Sequence, residues 1–432
     1  MDYYKPSQSR YFLSRLLGNG ILVMEGEKHR QQRRIKNPAF SPAPIKDLVP
    51  LFFQKALELR DIWLSQIAAK GIEGSLKIEV LSWVSRATLD IIGLAGFHYR
   101  FDSLNERQEP DALNKAFEVL LRGDDDSRFL RILQASIPII RSIPNRRVTQ
   151  VREAHNTMHW IGERLLKDRQ AGGTLEKGRD LLSVLLRANM DTELPDSQRM
   201  TDEDVLAQVP TFLVAGHETT SNALAFALFS VAQRPDLQSR LRSEVRGIPT
   251  DSPSADDLSS EKLPFLEAVV RETLRVHATV SSIVRVAMKD DVIPFSEPFA
   301  DLKGRVCKEI RIRKGDRIVL PVLALNRDKS IWGEDADEFN PDRWTNPPQA
   351  ARNVPGVWGD LLTFGGGSHS CIGYRFAVYE MKAILYTLIR RFEFSLAVPA
   401  ESIELRSLAI TRPFVHGEKG AQMPLMVKVC DS

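Results

Sequence analysis

The stretch Phe364-Gly-Gly-Gly-Ser-His-Ser-Cys371-Ile-Gly373 runs directly into Tyr374-Arg-Phe-Ala-Val-Tyr-Glu-Met-Lys-Ala-Ile-Leu-Tyr. That junction constrains the fold more than any other segment. Its second part is amphipathic at helical spacing, so the cysteine stands at a helix start. There the helix dipole and free N–H groups favour negative sulfur, and the glycine run lets backbone approach it closely. A thiolate ligand needs both. A lone cysteine beside a flexible loop would be read instead as buried and inert, and here the surrounding spacing favours the ligand. Cys307 and Cys430 lie far away and form no C-x-x-C pair, so neither a disulfide framework nor a zinc site is expected.

The chain has 432 residues, more than the usual single-core size, so several domains or one large enzyme-like fold must be expected. Apolar residues make up 43% and charged residues 27%, an ordinary globular balance without low-complexity tracts or repeats. A formal net charge of +3 implies no general nucleic-acid footprint. The opening Met1-Asp-Tyr-Tyr-Lys-Pro is polar, and no apolar run is long enough to span a bilayer.

Helical patterns dominate. From Val80 the apolar positions Val84, Ala87, Ile91, Leu94 and Ala95 predict a core helix. An apolar connector, Phe129 to Ile140, follows an interruption at residues 122–128; it is expected to pack inside, with membrane-surface contact as the alternative. Thr201 is placed to cap a helix that runs to about Ala232 and stops before Pro235. Pro210 and Gly216 sit inside it, at costs of about 3 and about 1 kcal/mol relative to alanine. Such costs in mid-helix suggest a purpose. Alternation on both sides of Lys314-Gly315-Asp316 predicts a hairpin over Glu309 to Leu320, where most of the β signal lies.

Three further groupings bear on chemistry. In Leu263-Pro-Phe-Leu-Glu-Ala-Val-Val-Arg-Glu272-Thr-Leu-Arg275, Pro264 can open a helix on which Glu272 and Arg275 share a face. An exposed ion pair has the same spacing. In Ala215-Gly216-His-Glu218-Thr219, the small residues lie on the side of Thr219 and can form a groove, although the hydroxyl could equally bond back to its own helix. His217-Glu218 is not a zinc-protease pair, because the second histidine would fall at Ser221. The basic run from Glu25 through His29 and Arg33 could be a solvated helix face or an anion contact.

Together these segments resemble the cytochrome P-450 family. Phe364, Gly367, His369, Cys371 and Gly373 match its iron-binding segment. Glu272 and Arg275, with Phe339-Asn-Pro-Asp-Arg343, match its Glu-x-x-Arg and Phe-x-Pro-x-Arg segments, and Ala215-Gly216-x-Glu218-Thr219 matches its oxygen-binding segment. The resemblance implies a mostly α fold with small β-sheets and one haem-binding catalytic domain over 1–432, with the motifs from about residue 18. It implies haem b (iron protoporphyrin IX) bound through Cys371, with Phe364 near the sulfur. His369, Arg33 and Arg285 would contact the propionates, and His29, where tryptophan is common, would be a second donor. Glu272, Arg275 and Arg343 would form a buried structural triad, and Glu218 and Thr219 would organise proton delivery to oxygen. Asn326-Arg-Asp stands where His-Arg-Asp is commoner.

The implied activity is a monooxygenase that inserts one atom of O₂ into an apolar small molecule. No G-x-G-x-x-G element or second redox domain is present, so electrons should come from NADPH through a separate cytochrome P-450 reductase. The motif variants are closest to fungal microsomal members and to secondary metabolism. The anchor, proline-rich hinge, first helices and part of the main sheet of such members have no counterpart here. The endoplasmic reticulum surface is therefore expected for a full-length member, and the cytoplasm for the chain as written. Substrate contacts are expected at Ser281 to Val284, around Thr211 to Ala215, and along the connector. Rival readings are a haem-thiolate isomerase, dehydratase or peroxygenase, or a non-catalytic haem-binding protein. A hydrolase lacks its G-x-S-x-G elbow.

Overall fold

Where apolar residues recur on every side of a helix, that helix must run through the interior. The segment from Gln208 to Ala232 is of this kind, and the other helices stack around it. The computed structural model describes residues 2–105, 180–190, 199–407 and 409–430, with isolated positions between 153 and 167 and residue 195. The apolar connector and its interruption lie outside the described residues.

The principal helices are α1 (Ser7–Leu17), α2 (Gly26–Lys36), α3 (Val49–Lys70), α4 (Val80–Phe97), α5 (Leu181–Met190), α6 (Gln208–Ala232), α7 (Pro235–Arg246), α8 (Pro264–Val276) and α9 (Tyr374–Arg391). Helix α6 packs on α4, α8 and α9, and α3 closes over α9 through Phe53 against Tyr386 and Phe52 against Phe376. The buried apolar side chains of these elements form one contiguous core. Helix α4 starts at Glu79, whose carboxylate accepts the Leu81 and Ser82 N–H groups. Among the described residues it alone is long and apolar enough to cross a membrane, yet 78% of that span is buried within the protein.

The helix expected from Thr201 is two helices. Thr201 does cap the first, Asp202–Leu206, accepting from Asp204 N at 3.1 Å, and the chain then turns at Ala207 before α6 begins. Pro210 is consequently not in mid-helix. It sits in the first turn of α6, where a missing N–H costs nothing because that donor has no carbonyl to meet. Pro235 likewise opens α7.

The small sheets lie at the flanks. Strands β1 (Tyr3–Tyr4), β3 (Ile283–Ala287) and β6 (Arg317–Leu320) form one, with β3 central. Strand β10 (Pro424–Val429) lies between β2 (Ser75–Glu79) and β7 (Phe392–Leu396), pairing Leu425 with both Ile78 and Leu396. Two-stranded ribbons join β4 (Asp291–Ala300) to β5 (Val306–Ile312) and β8 (Ile403–Ser407) to β9 (Thr411–Val415).

The hairpin expected around Gly315 does not form. Gly315 N–H donates to Ala287 O and Asp316 O accepts from Ala287 N–H, so this turn fastens to the end of β3 and the chain changes sheet. Strand β5 pairs with β4 and β6 with β3. The real hairpin turn comes earlier, at Asp301 to Arg305. There the Asp301 carboxylate accepts two backbone N–H groups and Gly304 takes a positive φ.

At the base of α8, Glu272 and Arg275 are wholly buried, with relative exposures of 0% and 0%. Arg275 forks onto the Glu272 carboxylate at 2.7 and 2.9 Å and also donates to the carbonyls of Asn326, Ala336 and Glu338. Arg343 reaches Glu272 at 3.5 Å, but its closer partner is the Asp335 carboxylate, held at 2.8 Å by two nitrogens. Trp344 Nε1 and Asn340 N donate the remaining bonds to Glu272. Every charge in the network is thus hydrogen-bonded, the condition under which buried ions are tolerated. Removing one partner strands the others. Glu272→Ala is expected to lose about 3–5 kcal/mol of unfolding free energy, measured by denaturant titration, whereas Glu334→Ala, in an exposed pair with Lys329, should leave the midpoint unchanged.

Candidate functional site

The Cys371 loop is a backbone construction. Gly365 and Gly367 both adopt φ +67°, a region that penalises any Cβ, and a Cβ on Gly366 would collide with the Pro355 carbonyl. These geometries fold the loop back so that Cys371 N–H donates to Phe364 O at 2.7 Å. Phe364 is wedged edge-on to Trp358 and tilted against Tyr374. Gly373 N–H is directed at the sulfur, and α9 begins one residue later.

Cys371 keeps an accessible face although protein surrounds it, as a side chain opening into a cleft must. Burial pushes its thiol above the ordinary range, and the Gly373 N–H and the Arg33 guanidinium only partly offset this. A helix start does not by itself make the sulfur negative here, because desolvation outweighs the dipole. A cation close to the sulfur would favour its charged form.

A cluster of basic groups lies beside the loop. His29 stacks on His369 with ring centroids 3.9 Å apart, His369 Nε2 lies 3.4 Å from Glu25 Oε2, and Lys5 Nζ lies 3.1 Å from Glu25 Oε1. Arg285 on β3 faces the same carboxylate, and Arg33 donates to the Ser370 carbonyl and to Asn37. Burial lowers both histidines to about 4 and also lowers Lys5, Arg33 and Arg285. Although burial opposes it, the Lys5 N–H and ammonium and the His369 ring hold the Glu25 carboxyl below its usual range. Four of these basic side chains, Lys5, His29, Arg285 and His369, thus share the described carboxylate of Glu25, Arg33 lies by Cys371, and buried His29 Nδ1 has no hydrogen-bond partner. The surplus fits an anionic guest with carboxylates of its own, as haem has in its propionates.

Helix α6 supplies the other wall. Between Thr211 and Thr220 only Ala215, Gly216 and Thr219 are partly exposed. Thr219 Oγ1 donates to Ala215 O at 2.8 Å, the back-bond that its position permits. The absent Cβ of Gly216 serves packing: a methyl there would fall 2.7 Å from Ile92 Cγ1 of α4. Glu218 accepts from Asn222 Nδ2 of its own helix at 3.2 Å and lies 2.6 Å from Arg412 of β9.

Several of these partners had no signal in motif spacing. Lys5 reaches the site because β1 pairs with β3, Asp335 completes the Arg343 contacts, and Arg412 arrives from the far end of the chain. Asn326 bonds Thr363 Oγ1 at 2.8 Å while its carbonyl takes Arg275, tying the α8 network to the segment before Phe364. Glu380 is fully buried on α9, and among the described residues neither of its carboxyl oxygens has a hydrogen-bond partner. The sequence feature that could have found it is its place, nine residues after Cys371, on the inward face of an amphipathic helix.

A family model described as Cytochrome P450 matches residues 2–415. The chain is 50% identical over 440 residues to Cytochrome P450 monooxygenase 205 of Postia placenta, covering 99% of this chain and 80% of that protein. It is 47% identical to Cytochrome P450 monooxygenase 128 of the same fungus, with the same coverage. It is 35% identical to Cytochrome P450 monooxygenase claW of Ampulloclitocybe clavipes, over 99% of this chain and 80% of that one.

Burial drives the Glu380 carboxyl well above the usual range, so the folded protein keeps its proton after the unfolded chain has lost it. Its contribution to stability is complete below the ordinary carboxyl pKa and falls as pH rises from there toward the folded value. Glu380→Gln removes that dependence. Urea unfolding across this window should show the variant gaining on the parent protein as pH rises, and a constant difference would contradict a protonated Glu380.

Proposed function

The chain belongs to the cytochrome P450 family and is an oxidoreductase that incorporates oxygen from O₂, and on that premise we propose that it binds haem b through Cys371 and oxygenates an apolar small molecule. The observation that carries this reading is Cys371, an exposed residue at the end of the glycine loop, with the Gly373 N–H favouring its charged form and the basic cluster alongside. When bound, a haem-thiolate supplies O₂ activation, because the thiolate pushes electron density that favours O–O cleavage.

The protein's own part is to hold and to deliver. Cys371 binds the metal and Phe364 covers the sulfur side, while Gly373 tempers the sulfur's charge. His29, Arg33, Arg285, His369 and Lys5 would take the propionates, with Gly367 giving the loop the turn it needs. Ala215 and the Gly216 backbone leave room for O₂ on the α6 side, and Glu218 with Thr219 passes protons toward it. Glu272, Arg275 and Arg343 hold α8 and, through Asn326, the segment leading into the loop.

The whole chain, residues 1–432, would act as one catalytic domain, with electrons from NADPH through a separate cytochrome P-450 reductase at the endoplasmic reticulum surface. The substrate would be oxygenated at a C–H bond or alkene, and likeness to fungal P450 monooxygenases supports secondary metabolism as the setting.

Two measurements test this. The reduced protein with carbon monoxide should give the red-shifted thiolate band, absent in Cys371→Ala; a globin-like band in the parent protein would refute the ligand assignment. Thr219→Ala should keep that band but divert reducing equivalents to peroxide, and an unchanged product yield would remove Thr219 from proton delivery.

A further inference from the structure

The Glu218 carboxylate has an ion-pair partner from outside its own helix and a hydrogen-bond partner within it. Arg412 Nε lies 2.6 Å from Glu218 Oε1, a charge contact not aligned as a hydrogen bond, with side-chain exposures of 20% and 9%, so solvent screens the pair only weakly. Asn222 Nδ2 lies 3.2 Å from the same oxygen and 2.7 Å from the Glu218 carbonyl. His217 cannot replace Arg412. Its Nδ1 lies 2.8 Å from the Leu213 carbonyl, an acceptor only, so Nδ1 carries the proton, and burial keeps the ring neutral. Its Nε2, 3.8 Å from Glu218 Oε2, therefore has no proton to give. Among the described residues, Arg412 is the charged partner of Glu218.

The β8–β9 ribbon that carries Arg412 is itself fastened to the segment ahead of β3. Thr411 N–H donates to Thr279 O at 2.7 Å, and Ser407 Oγ lies 2.8 Å from Ser281 Oγ. Ser281 opens the stretch expected to touch substrate. One ribbon thus joins that wall to the acid on α6.

We propose that Arg412 is a positioning residue for proton delivery: it aims the Glu218 carboxylate and ties that aim to the wall at residues 279–281. This rests on the reading of Glu218 as a proton carrier. Without delivery, O₂ leaves as hydrogen peroxide after taking two electrons from NADPH and two protons; with delivery and no substrate, it is reduced to two waters with four of each.

The experiment uses the holoprotein with reductase and NADPH and no added substrate. It reads peroxide formed per NADPH consumed, and the effect of D₂O on consumption, in the parent, Glu218→Gln, Arg412→Met, Arg412→Lys and the Glu218→Gln/Arg412→Met pair. Arg412→Met should raise the peroxide share severalfold and change the solvent isotope effect as Glu218→Gln does. Arg412→Lys should restore much of the parent behaviour, and the double variant should be no worse than Glu218→Gln alone. If Glu218→Gln changes both readouts and Arg412→Met neither, the role of Arg412 is refuted while Glu218 stands. If Glu218→Gln changes nothing, the proton-carrier reading fails and takes this inference with it. Should Arg412→Met not retain haem, the unfolding midpoints of the Arg412→Lys series with and without Glu218→Gln decide, and strictly additive effects overturn the pairing.

Discussion

Glu272 and Arg275 are ions placed where no water reaches, and the rest of the structure is arranged so that this is affordable. Three backbone carbonyls converge on Arg275, and Trp344, Asn340 and Arg343 complete Glu272. Each bond fixes a different piece of irregular chain to α8. Desolvated charge thereby does what a regular ladder does elsewhere: it makes loop positions obligatory. Through Asn326 and Thr363 the constraint passes to Phe364, and from there to the backbone bond that positions Cys371.

The other demanding feature is the excess of basic groups over carboxylates around Glu25. Burial lowers every base in the cluster, disfavouring their charged forms, and an anion beside them would favour those forms. Glu25 supplies part of that anion from within the chain. The sulfur shows the complementary tendency, since burial raises its thiol and disfavours the charged form. A guest carrying both carboxylates and a metal ion, as the haem proposed above does, would relieve both at once.

Much of the fold was legible in the chain. The core helix from Val80, the cap at Thr201, the helix opened by Pro264 and the helix after Cys371 all stand where apolar period and capping chemistry put them. The errors share a cause. Pro210 was read against a continuous helix because hydrophobic period carries across a single turn at Ala207, and Gly315 was read as a hairpin because alternation says nothing about which strand is the partner. Gly216 is small for Ile92, a neighbour that no local pattern names.

What the sequence alone determined is local: helix and turn propensities, the glycine-lined loop that ends at Cys371, and the residue types available for a thiolate, a buried ion pair and a proton carrier. Tertiary structure alone decided the pairings, bringing Lys5 and Arg285 to Glu25, Asp335 to Arg343 and Arg412 to Glu218, and it alone buried Glu380. Spacing encodes neighbours along one helix or strand. Electrostatic partners from distant segments, and the burial that sets whether a cysteine or a carboxyl is charged, exist only once those segments pack.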